Sequence, residues 1–425
     1  MKFGVGVGLA AASAILLVGT LPALASHKVC DAGAYGAKGD GTTKDTKAIQ
    51  AAIDACAGNP HGGTVTLGKG TFLSGPIVLK DNITLNIAGG ATLLGSPDHD
   101  DYPQLEVFRA PGRQSLISSD HAKNIAITGG GVIDGNGASW WAEARATPGA
   151  GIVGKVVFRP RLVVFNYSNH IRMEGVTVKN SPSWQIVPYY SDHIVMRNMK
   201  VLAPYPSPNT DAIDPFSSSN ILIEHVYAST GDDNIAIKSG EINSPGPDSP
   251  SRNIKIRDCT FDNGHGLSIG SEIAGGAQNV HAERIHFKGT DQGIRIKAAR
   301  DRGNDVSNIS FKDITMDAVK TAILITEYYP HPAPEGEVPA EPVGRLTPKF
   351  HGITIKNVTA TGSGSAGTIV GLPESLAVLT MKNVHLAGKT GLAIAYANVT
   401  MDNVTVKPDT GEAIKVAPTA KVTGR

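Results

Sequence analysis

Short stretches of alternating apolar and polar residues recur along most of the chain, and each follows an Asn or Asp. Clear examples lie at residues 82–86, 124–128, 169–173, 220–224, 253–257 and 308–311. Alternation with a period of two residues predicts half-buried β-strands. The stretches recur at intervals of roughly 20 to 45 residues, which is the range of solenoid repeats. The pattern therefore predicts one strand-and-turn unit repeated many times.

One part of the chain has a helical period instead. The apolar stripe of an amphipathic helix runs between residues 44 and 57, with apolar side chains at Ala48, Ile49, Ala52, Ile53 and Cys56. Asp45 and Thr46 are both candidate N-caps, because their side-chain oxygens can accept from the first backbone N–H groups of a helix. This is the one helix that the pattern predicts, and we expect it to cover the open end of a stack of strands.

The repeats do not fit two common repeat folds. A β-propeller needs blades of about 40 residues with four strands each, and a leucine-rich repeat needs a Leu-rich helical half. Short strands with variable polar turns instead predict an all-β, single-domain, right-handed parallel β-helix over residues 26–425, with a short N-terminal capping helix. Successive coils would lie about 4.8 Å apart. Polar groups far apart in sequence would then become neighbours.

Composition limits the partners. The formal net charge is +1, from 39 basic and 38 acidic residues. Because the chain has no global field, the sequence favours neither nucleic acid nor a membrane surface as a partner. A polyanion would have to be bound by a local cluster of cations.

The N-terminus has the pattern of an export signal. Lys2 precedes an apolar run that ends in Ala-Leu-Ala at residues 23–25, so residues 1–25 are predicted to be a signal peptide of a secreted, extracellular or periplasmic protein. A transmembrane anchor is the alternative, but Gly, Ser and Pro interrupt the run and no basic flank follows it. In an exported protein, Cys30 and Cys56 are candidate disulfide partners that would join the first strand to the helix.

Four short polar clusters each follow a strand pattern in the middle of the chain. They are Asn209-Thr210-Asp211, Gly231-Asp232-Asp233-Asn234, Gly264-His265-Gly266 and Arg295-Ile296-Lys297. Intervals of 21, 33 and 30 residues separate Asp211, Asp232, His265 and Arg295, which fits one coil plus a loop in each case. We therefore expect the clusters to stack on one edge of consecutive coils.

Three crowded carboxylates suit acid/base chemistry. They repel one another when ionised, so at least one should have a raised pKa and be available as a general acid. Paired carboxylates of this kind carry out glycoside hydrolysis. A Ca²⁺ site or a solvated turn is the alternative, because Asp and Asn are common in turns.

The cations and the imidazole extend this hypothesis. Arg295 and Lys297 lie two residues apart and project from the same face of a strand, which is unfavourable unless an anion lies between them. A solvated strand is the alternative. His265 lies between Gly264 and Gly266, so backbone or a ligand can approach it closely. Together the clusters indicate acid/base chemistry on an anionic substrate.

The ordered set of clusters resembles the polygalacturonases of glycoside hydrolase family 28, in particular their bacterial members. All four signature motifs of that family are present in order, and the resemblance covers essentially the whole chain after residue 25. Any one motif is weak, but the ordered set is specific. The resemblance implies a right-handed β-helix, no metal or other cofactor, and hydrolysis of α-1,4-galacturonosidic bonds with inversion. The implied partner is an acidic polysaccharide, pectin or polygalacturonate, and we expect a monomer.

The resemblance also implies roles for the catalytic residues. Asp232 would protonate the glycosidic oxygen, while Asp211 and Asp233 would hold and deprotonate the water. His265 would support the protonation state of the acid. Inversion comes from the resemblance alone: inverting carboxylates usually lie roughly 6.5 to 9.5 Å apart, whereas neighbouring coils would give about 5 Å.

The resemblance also implies which residues bind the substrate. Asn209 belongs to the first motif, and Arg295 and Lys297 would bind galacturonate carboxylates around the cleaved bond. The family has an active-site tyrosine after the fourth motif. Tyr329 is our choice, with the adjacent Tyr328 as the alternative.

Other functions remain open at the level of sequence. A pectate or pectin lyase would use Ca²⁺, held by the three aspartates, and a base such as Arg295, giving an unsaturated product. A noncatalytic β-helix, such as an adhesin or a pectin-binding protein, would not need Asp232. A rhamnogalacturonan or xylogalacturonan hydrolase is a further alternative. Because the sequence has no obvious extra N-terminal domain or very long insertion, we expect endo rather than exo action.

Overall fold

The chain winds into a right-handed parallel β-helix, as the sequence predicts. The computed structural model describes residue 1 and residues 27–147, 157–241, 249–334 and 336–424. The predicted signal peptide, apart from residue 1, lies outside these residues. None of the helices among the described residues is long and apolar enough to cross a membrane.

Most of the described residues belong to short strands. The first fifteen are β1 Lys28–Asp31, β2 Asp40–Lys44, β3 Gly63–Leu67, β4 Gly70–Ser74, β5 Ile77–Leu79, β6 Ile83–Ile87, β7 Ala91–Gly95, β8 Gln104–Val107, β9 Ala110–Arg113, β10 Ile117–Asp120, β11 Lys123–Gly129, β12 Val132–Asp134, β13 Val163–Asn166, β14 Asn169–Glu174 and β15 Thr177–Lys179. The others are β16 Ile186–Tyr189, β17 Asp192–Leu202, β18 Ser219–Ser229, β19 Ile235–Ile237, β20 Ser251–Asp262, β21 Leu267–Ile269, β22 Ala277–Lys288, β23 Gln292–Lys297, β24 Asp305–Asp317, β25 Thr321–Thr326, β26 Lys349–Val370, β27 Ala377–Ala395, β28 Ala397–Pro408, β29 Ile414–Val416 and β30 Lys421–Thr423.

Parallel pairing between successive coils arranges the strands in three ladders. The first runs β5–β10–β13–β16, continues through single bridges at Ile186, Ile213 and Ile235, and ends β19–β21–β23–β25–β26–β27–β29. The second runs β1–β3–β6–β11–β14–β17–β18–β20–β22–β24–β26–β27–β28–β30. The third runs β2–β4–β7–β12–β15–β17. Alternate side chains enter the apolar core between the ladders.

The asparagines that lead into strands stack from coil to coil. Asn220, Asn253, Asn279 and Asn308 all have φ near +55°, a left-handed conformation that Asn tolerates better than most residues. The side-chain amides of the last three each donate to the side-chain oxygen of the preceding asparagine, at 2.7 to 3.0 Å. The recurring Asn in the sequence therefore marks a repeated turn.

In the described part of the chain, two α-helices depart from the stack. Helix α1, Thr46–Ala57, begins two residues later than predicted, with Asp45 at its N-cap. The Asp45 carboxylate caps the preceding loop instead of the helix, accepting from the backbone N–H groups of Lys38 and Gly39 at 2.7 and 2.9 Å. Helix α2, Ala138–Ala146, was not expected, so the prediction of a single helix is wrong.

The N-terminal strand is joined covalently to α1. Cys30 and Cys56 form a disulfide with a Cα–Cα distance of 6.1 Å. The buried Ile49, Ala52 and Ile53 of α1 pack on the same core, as their spacing predicts. The helix thus covers the first coils of the solenoid.

Candidate active site

The polar clusters lie on the outer face of the first ladder. Ile213, Ile235, Leu267 and Ile294 are in register there and point into the core. Asp211, Asp233 and His265 each come two residues before one of these positions, and Arg295 directly follows the last of them and so points outward. Consecutive coils therefore bring the four clusters together, as their spacing predicts.

Asp233 is the most tightly bound carboxylate of the site. Its two oxygens lie 3.0 Å from Arg295 Nη1 and 2.9 Å from Lys297 Nζ, and the Ser268 hydroxyl donates to it at 2.7 Å. Burial acts to raise the pKa of Asp233, but Lys297 and Arg295 outweigh it and hold the pKa below its usual range. The anion between the two cations is therefore Asp233, which stays ionised.

Asp232 faces His265. The imidazole Nδ1 lies 2.9 Å from Asp232 Oδ1, and its Nε2 lies 3.7 Å from a carboxylate oxygen of Asp291. Burial opposes a charge on the ring, but the hydrogen bond and charge of Asp232 raise the pKa of His265 above its ordinary value. The Asp232 side chain is 21% exposed, so it can contact a ligand in the cleft.

Glycines allow this placement of His265. Gly266 has φ of +81°, and a Cβ on it would meet the backbone oxygen of Gln292 at 2.0 Å. Only glycine fits this close approach of two coils. The glycine after His265 therefore lets the backbone of the next coil approach the chain directly beside the imidazole.

Asp211 lies deeper and has a different partner. Its Oδ2 is 3.5 Å from Lys238 Nζ, and Lys238 also lies 3.1 Å from a carboxylate oxygen of Glu272. Burial, and next the charge of Asp232, raises the pKa of Asp211 to about 8. The expected raised carboxyl pKa is thus found at Asp211, although the general acid expected from the resemblance is Asp232.

A second buried carboxyl lies beside Asp211. Asp214 is fully buried, and no donor among the described residues hydrogen-bonds to either of its oxygens. Burial, followed by the charge of Asp211, raises the pKa of Asp214 well above its ordinary value. Asp214 is thus a second buried carboxyl with a raised pKa next to Asp211.

The remaining expected residues surround the carboxylates. Asn209 accepts through Oδ1 from Arg159 Nη2 at 2.6 Å. The ring of Tyr329 lies 5.4 Å from the Arg295 guanidinium carbon and 5.1 Å from Lys297 Nζ. Of the two candidate tyrosines, Tyr329 is therefore the one beside the cations of the fourth cluster.

The sequence of this chain is similar to those of known proteins. The model of the glycosyl hydrolases family 28 matches residues 58–406. This chain belongs to that family. A probable polygalacturonase of Vitis vinifera is 33% identical over 374 residues, which are 84% of this chain and 74% of that protein. The family 28 chain is thus a glycoside hydrolase.

Two further relatives differ in their named mode of action. An endo-polygalacturonase of Pectobacterium carotovorum subsp. carotovorum is 31% identical, covering 87% of this chain and 89% of that protein. The structure of a hyperthermoactive exopolygalacturonase from Thermotoga maritima is similar with a TM-score of 0.71 at 27% identity, covering 94% of this chain and 92% of that one. Membership of the family therefore leaves endo and exo action open.

Besides Arg159 and Asp214, sequence reasoning missed three charged residues of this hydrolase. Lys238, Glu272 and Asp291 contact Asp211 or His265 directly or through one another. The signal for Lys238 was present, because Ile235 and Ile237 point inward and so Lys238 lies on the outward face. Asp291 precedes the fourth cluster by four residues and showed no pattern of its own.

A metal site is the alternative use of these ligands. One ligand atom each from Asp232, Asp233 and His265 lies within 4.8 Å of the other two. Ca²⁺ prefers six to eight oxygen ligands, whereas both Asp233 oxygens here are already bound by cations and one of the three ligands is an imidazole. The donor set therefore does not fit Ca²⁺.

Proposed function

We propose that this family 28 hydrolase is a polygalacturonase, which hydrolyses α-1,4-galacturonosidic bonds of polygalacturonate or pectin with inversion. The observation that carries the proposal is the meeting of Asp211, Asp232 and Asp233 on one face, with Arg295 and Lys297 beside them. The names of the similar proteins support the same substrate.

The proposed reaction needs one proton on the pair formed by Asp211 and Asp232. In the reactive form Asp232 holds this proton and gives it to the glycosidic oxygen, which leaves with the bond electrons. Water attacks the anomeric carbon from the opposite side and passes its proton to ionised Asp211. Because burial favours the proton on Asp211, the product state is the stable one, so Asp211 must release its proton to solvent and the exposed Asp232 must take one up before the next turnover.

Asp233 has a different proposed role. Its low pKa makes it a poor proton acceptor, so it would orient the water while remaining ionised. His265 would hold Asp232 in position through Nδ1. Arg295 still has a buried Nε with no hydrogen-bond partner among the described residues, and this donor can serve a galacturonate carboxylate.

Substrate binding and location complete the proposal. Asn209 and Tyr329 lie at the edge of the site and would contact sugar units on either side of the bond. We further propose that residues 1–25 direct export, that residues 26–425 form the catalytic domain, and that the secreted protein acts as a monomer on its polymer without a cofactor.

The first test measures reducing sugars released from polygalacturonate. Asp232→Asn removes the transferable proton and should lower the rate by about 10²- to 10⁴-fold. Asp409→Asn is the matched control, because it neutralises an exposed aspartate far from the site. Circular dichroism should be the same for all three proteins.

Two outcomes would contradict the proposal. Products that absorb in the ultraviolet at the position of an unsaturated uronate would indicate elimination instead of hydrolysis. Nuclear magnetic resonance of the first-formed anomer would reject inversion if the configuration of the bond were retained.

A further inference from the structure

An aromatic cluster covers the outer face of the first ladder next to the active site. It consists of Phe108, Val164, Trp184, Val187, Tyr189 and Phe216. Tyr189 and Phe216 are only 3% and 5% exposed, although their positions on the sheet face away from the solenoid core. A buried outer face needs a cover.

A hairpin supplies this cover. Strands β8 and β9 pair antiparallel, and Phe108 lies in the two-residue turn that joins Val107 to Ala110. The Phe108 ring lies 4.3 Å from the ring of Tyr189, 5.8 Å from that of Phe216 and 6.2 Å from that of Trp184. The hairpin tip therefore lies on the surface along which a polymer would have to pass.

The aromatic cluster directly adjoins the active site. Phe216 is bridged to Lys238 in the next coil, and Lys238 Nζ lies 4.5 Å from the centre of the Trp184 ring. The guanidinium of Arg161 lies 4.6 Å above Phe108 and 4.8 Å above Trp184. No coil separates the aromatic cluster from the lysine that contacts Asp211.

The same row of the sheet is open on the other side of the site. Beyond Arg295 it continues through Leu324 and Thr368 to Ala393 and Lys415. Leu324 and Thr368 are half-buried, and the last two are exposed. The outward row is therefore buried toward the N-terminal coils and becomes half-buried and then exposed toward the C-terminal coils.

The turn that carries Phe108 has an unfavourable backbone. Phe108 and Arg109 have φ of +56° and +62°, where a two-residue hairpin turn favours Asn-Gly. A large aromatic residue in this conformation persists only where its surroundings hold it. Packing in the aromatic cluster supplies that support, so the chain keeps an aromatic ring where the turn itself would favour a small residue.

We infer that the hairpin closes one end of the cleft and makes the enzyme act on chain ends. This inference rests on the proposed polygalacturonase activity and deepens it. A polymer can enter from the open C-terminal side until its terminal unit meets the aromatic cluster, so that only the bond a fixed short distance from that end reaches Asp232. Such a cleft gives exo action, in place of the endo action expected from the sequence.

The test compares two variants of the turn in the full chain. The double variant Phe108→Asn/Arg109→Gly removes the ring and places the preferred Asn-Gly pair in the turn, so the hairpin should still form. The single variant Arg109→Gly relaxes the same turn but keeps the ring, and it is the matched control. A third variant carries both substitutions of the double variant and also lacks Glu106, Val107, Ala110 and Pro111. The deletion shortens the hairpin and moves its tip away from the sheet.

Product sizes on polygalacturonate are followed from the first per cent of conversion, together with viscosity. Wild type and Arg109→Gly should release a single short product, with little loss of viscosity per bond broken. The double variant, and more so the shortened hairpin, should give mixed oligomers and a several-fold larger loss of viscosity per bond.

The outcomes separate the two proposals. Early mixed oligomers from the wild type would overturn the inference while leaving polygalacturonase activity in place. Folded variants with the product pattern of the wild type would also overturn it, because the cluster would then not be the block. A wild type that hydrolyses no polygalacturonate would overturn the proposed function and, with it, this inference.

Discussion

The cations of the active site form ion pairs with two different catalytic carboxylates. Arg295 and Lys297 bind Asp233, while Lys238 lies between Asp211 and Glu272. Burial acts to lower the pKa of Lys238, but Glu272 and the neighbouring aspartates raise it well above its ordinary value, so the ammonium stays charged. Its charge lowers the pKa of Asp211 against the opposing effect of burial. Lys238 thus influences the site from beneath the cleft.

Replacing Lys238 should change the pH dependence of hydrolysis. Lys238→Met removes the cation, so the pKa of Asp211 should rise further above about 8. The single proton of the Asp211–Asp232 pair would then be lost only at higher pH. We expect the basic limb of the kcat/KM profile to move up by about 1 pH unit or more, with a lower kcat because the proton stays longer on Asp211.

Lys255→Met is the control for this prediction. Lys255 is exposed and pairs with Glu283 at 3.4 Å on another ladder. Its loss should leave both limbs of the profile in place. A Lys238→Met enzyme with reduced rate but an unmoved basic limb would show a structural role only.

Helix α1 is the element on which the start of the stack depends. Ile49, Ile53 and Cys56 are fully buried against the first coils, and the disulfide joins the last of these to β1. Among the described residues no coil lies on the N-terminal side of the first ones, and the helix covers their apolar interior there. Sequence periodicity was sufficient to find it.

Truncating one residue of this helix should weaken the fold. Ile53→Ala leaves a cavity in the core and should lower the free energy of unfolding by about 2–5 kcal/mol, as measured by urea denaturation. Lys47→Ala, on the exposed face of the same helix, should change it by less than about 0.5 kcal/mol. Equal effects of the two substitutions would mean that α1 is not part of the cooperative unit.

Other elements could not be found from the pattern, for physical reasons. Helix α2 contains adjacent buried residues, Trp140 and Trp141, instead of an apolar stripe, and Trp141 Nε1 donates to the backbone oxygen of Ser181. Tertiary contacts therefore hold it. The β8–β9 hairpin has Phe108 and Arg109 in its turn rather than the Asn-Gly that would reveal it.

At the scale of the whole molecule, the solenoid and the stacking of the four clusters followed from spacing alone. Coil-to-coil stacking converts sequence intervals into neighbours, so Asp211, Asp232 and His265 could be placed together before their geometry was known. Residues that contact the site because their side chains are buried could not be predicted from spacing. Lys238 and Asp214 lie on an outward row of the sheet and are nevertheless buried, and the ring of Trp184 from the aromatic cluster lies 4.5 Å from Lys238 Nζ.

Buried carboxyls should also make the stability of the whole molecule depend on pH. Burial raises the pKa of Glu327 to about 9, and among the described residues no cation forms an ion pair with it. Burial likewise raises the pKa of Asp211 to about 8. In the unfolded chain these groups titrate near pH 4, so between about pH 4 and 9 the folded state binds more protons.

Stability should therefore fall as the pH rises across that range. The loss is at most about 1.4 kcal/mol per pH unit for each such carboxyl. Glu327→Gln removes one titrating group without changing its shape, so urea unfolding between pH 5 and 8 should show a shallower fall than the wild type. Glu106→Gln, at an exposed position of β8, should keep the slope of the wild type. If both variants gave the same slope, Glu327 would have to be ionised in the folded protein, and a cation or solvent would have to reach it.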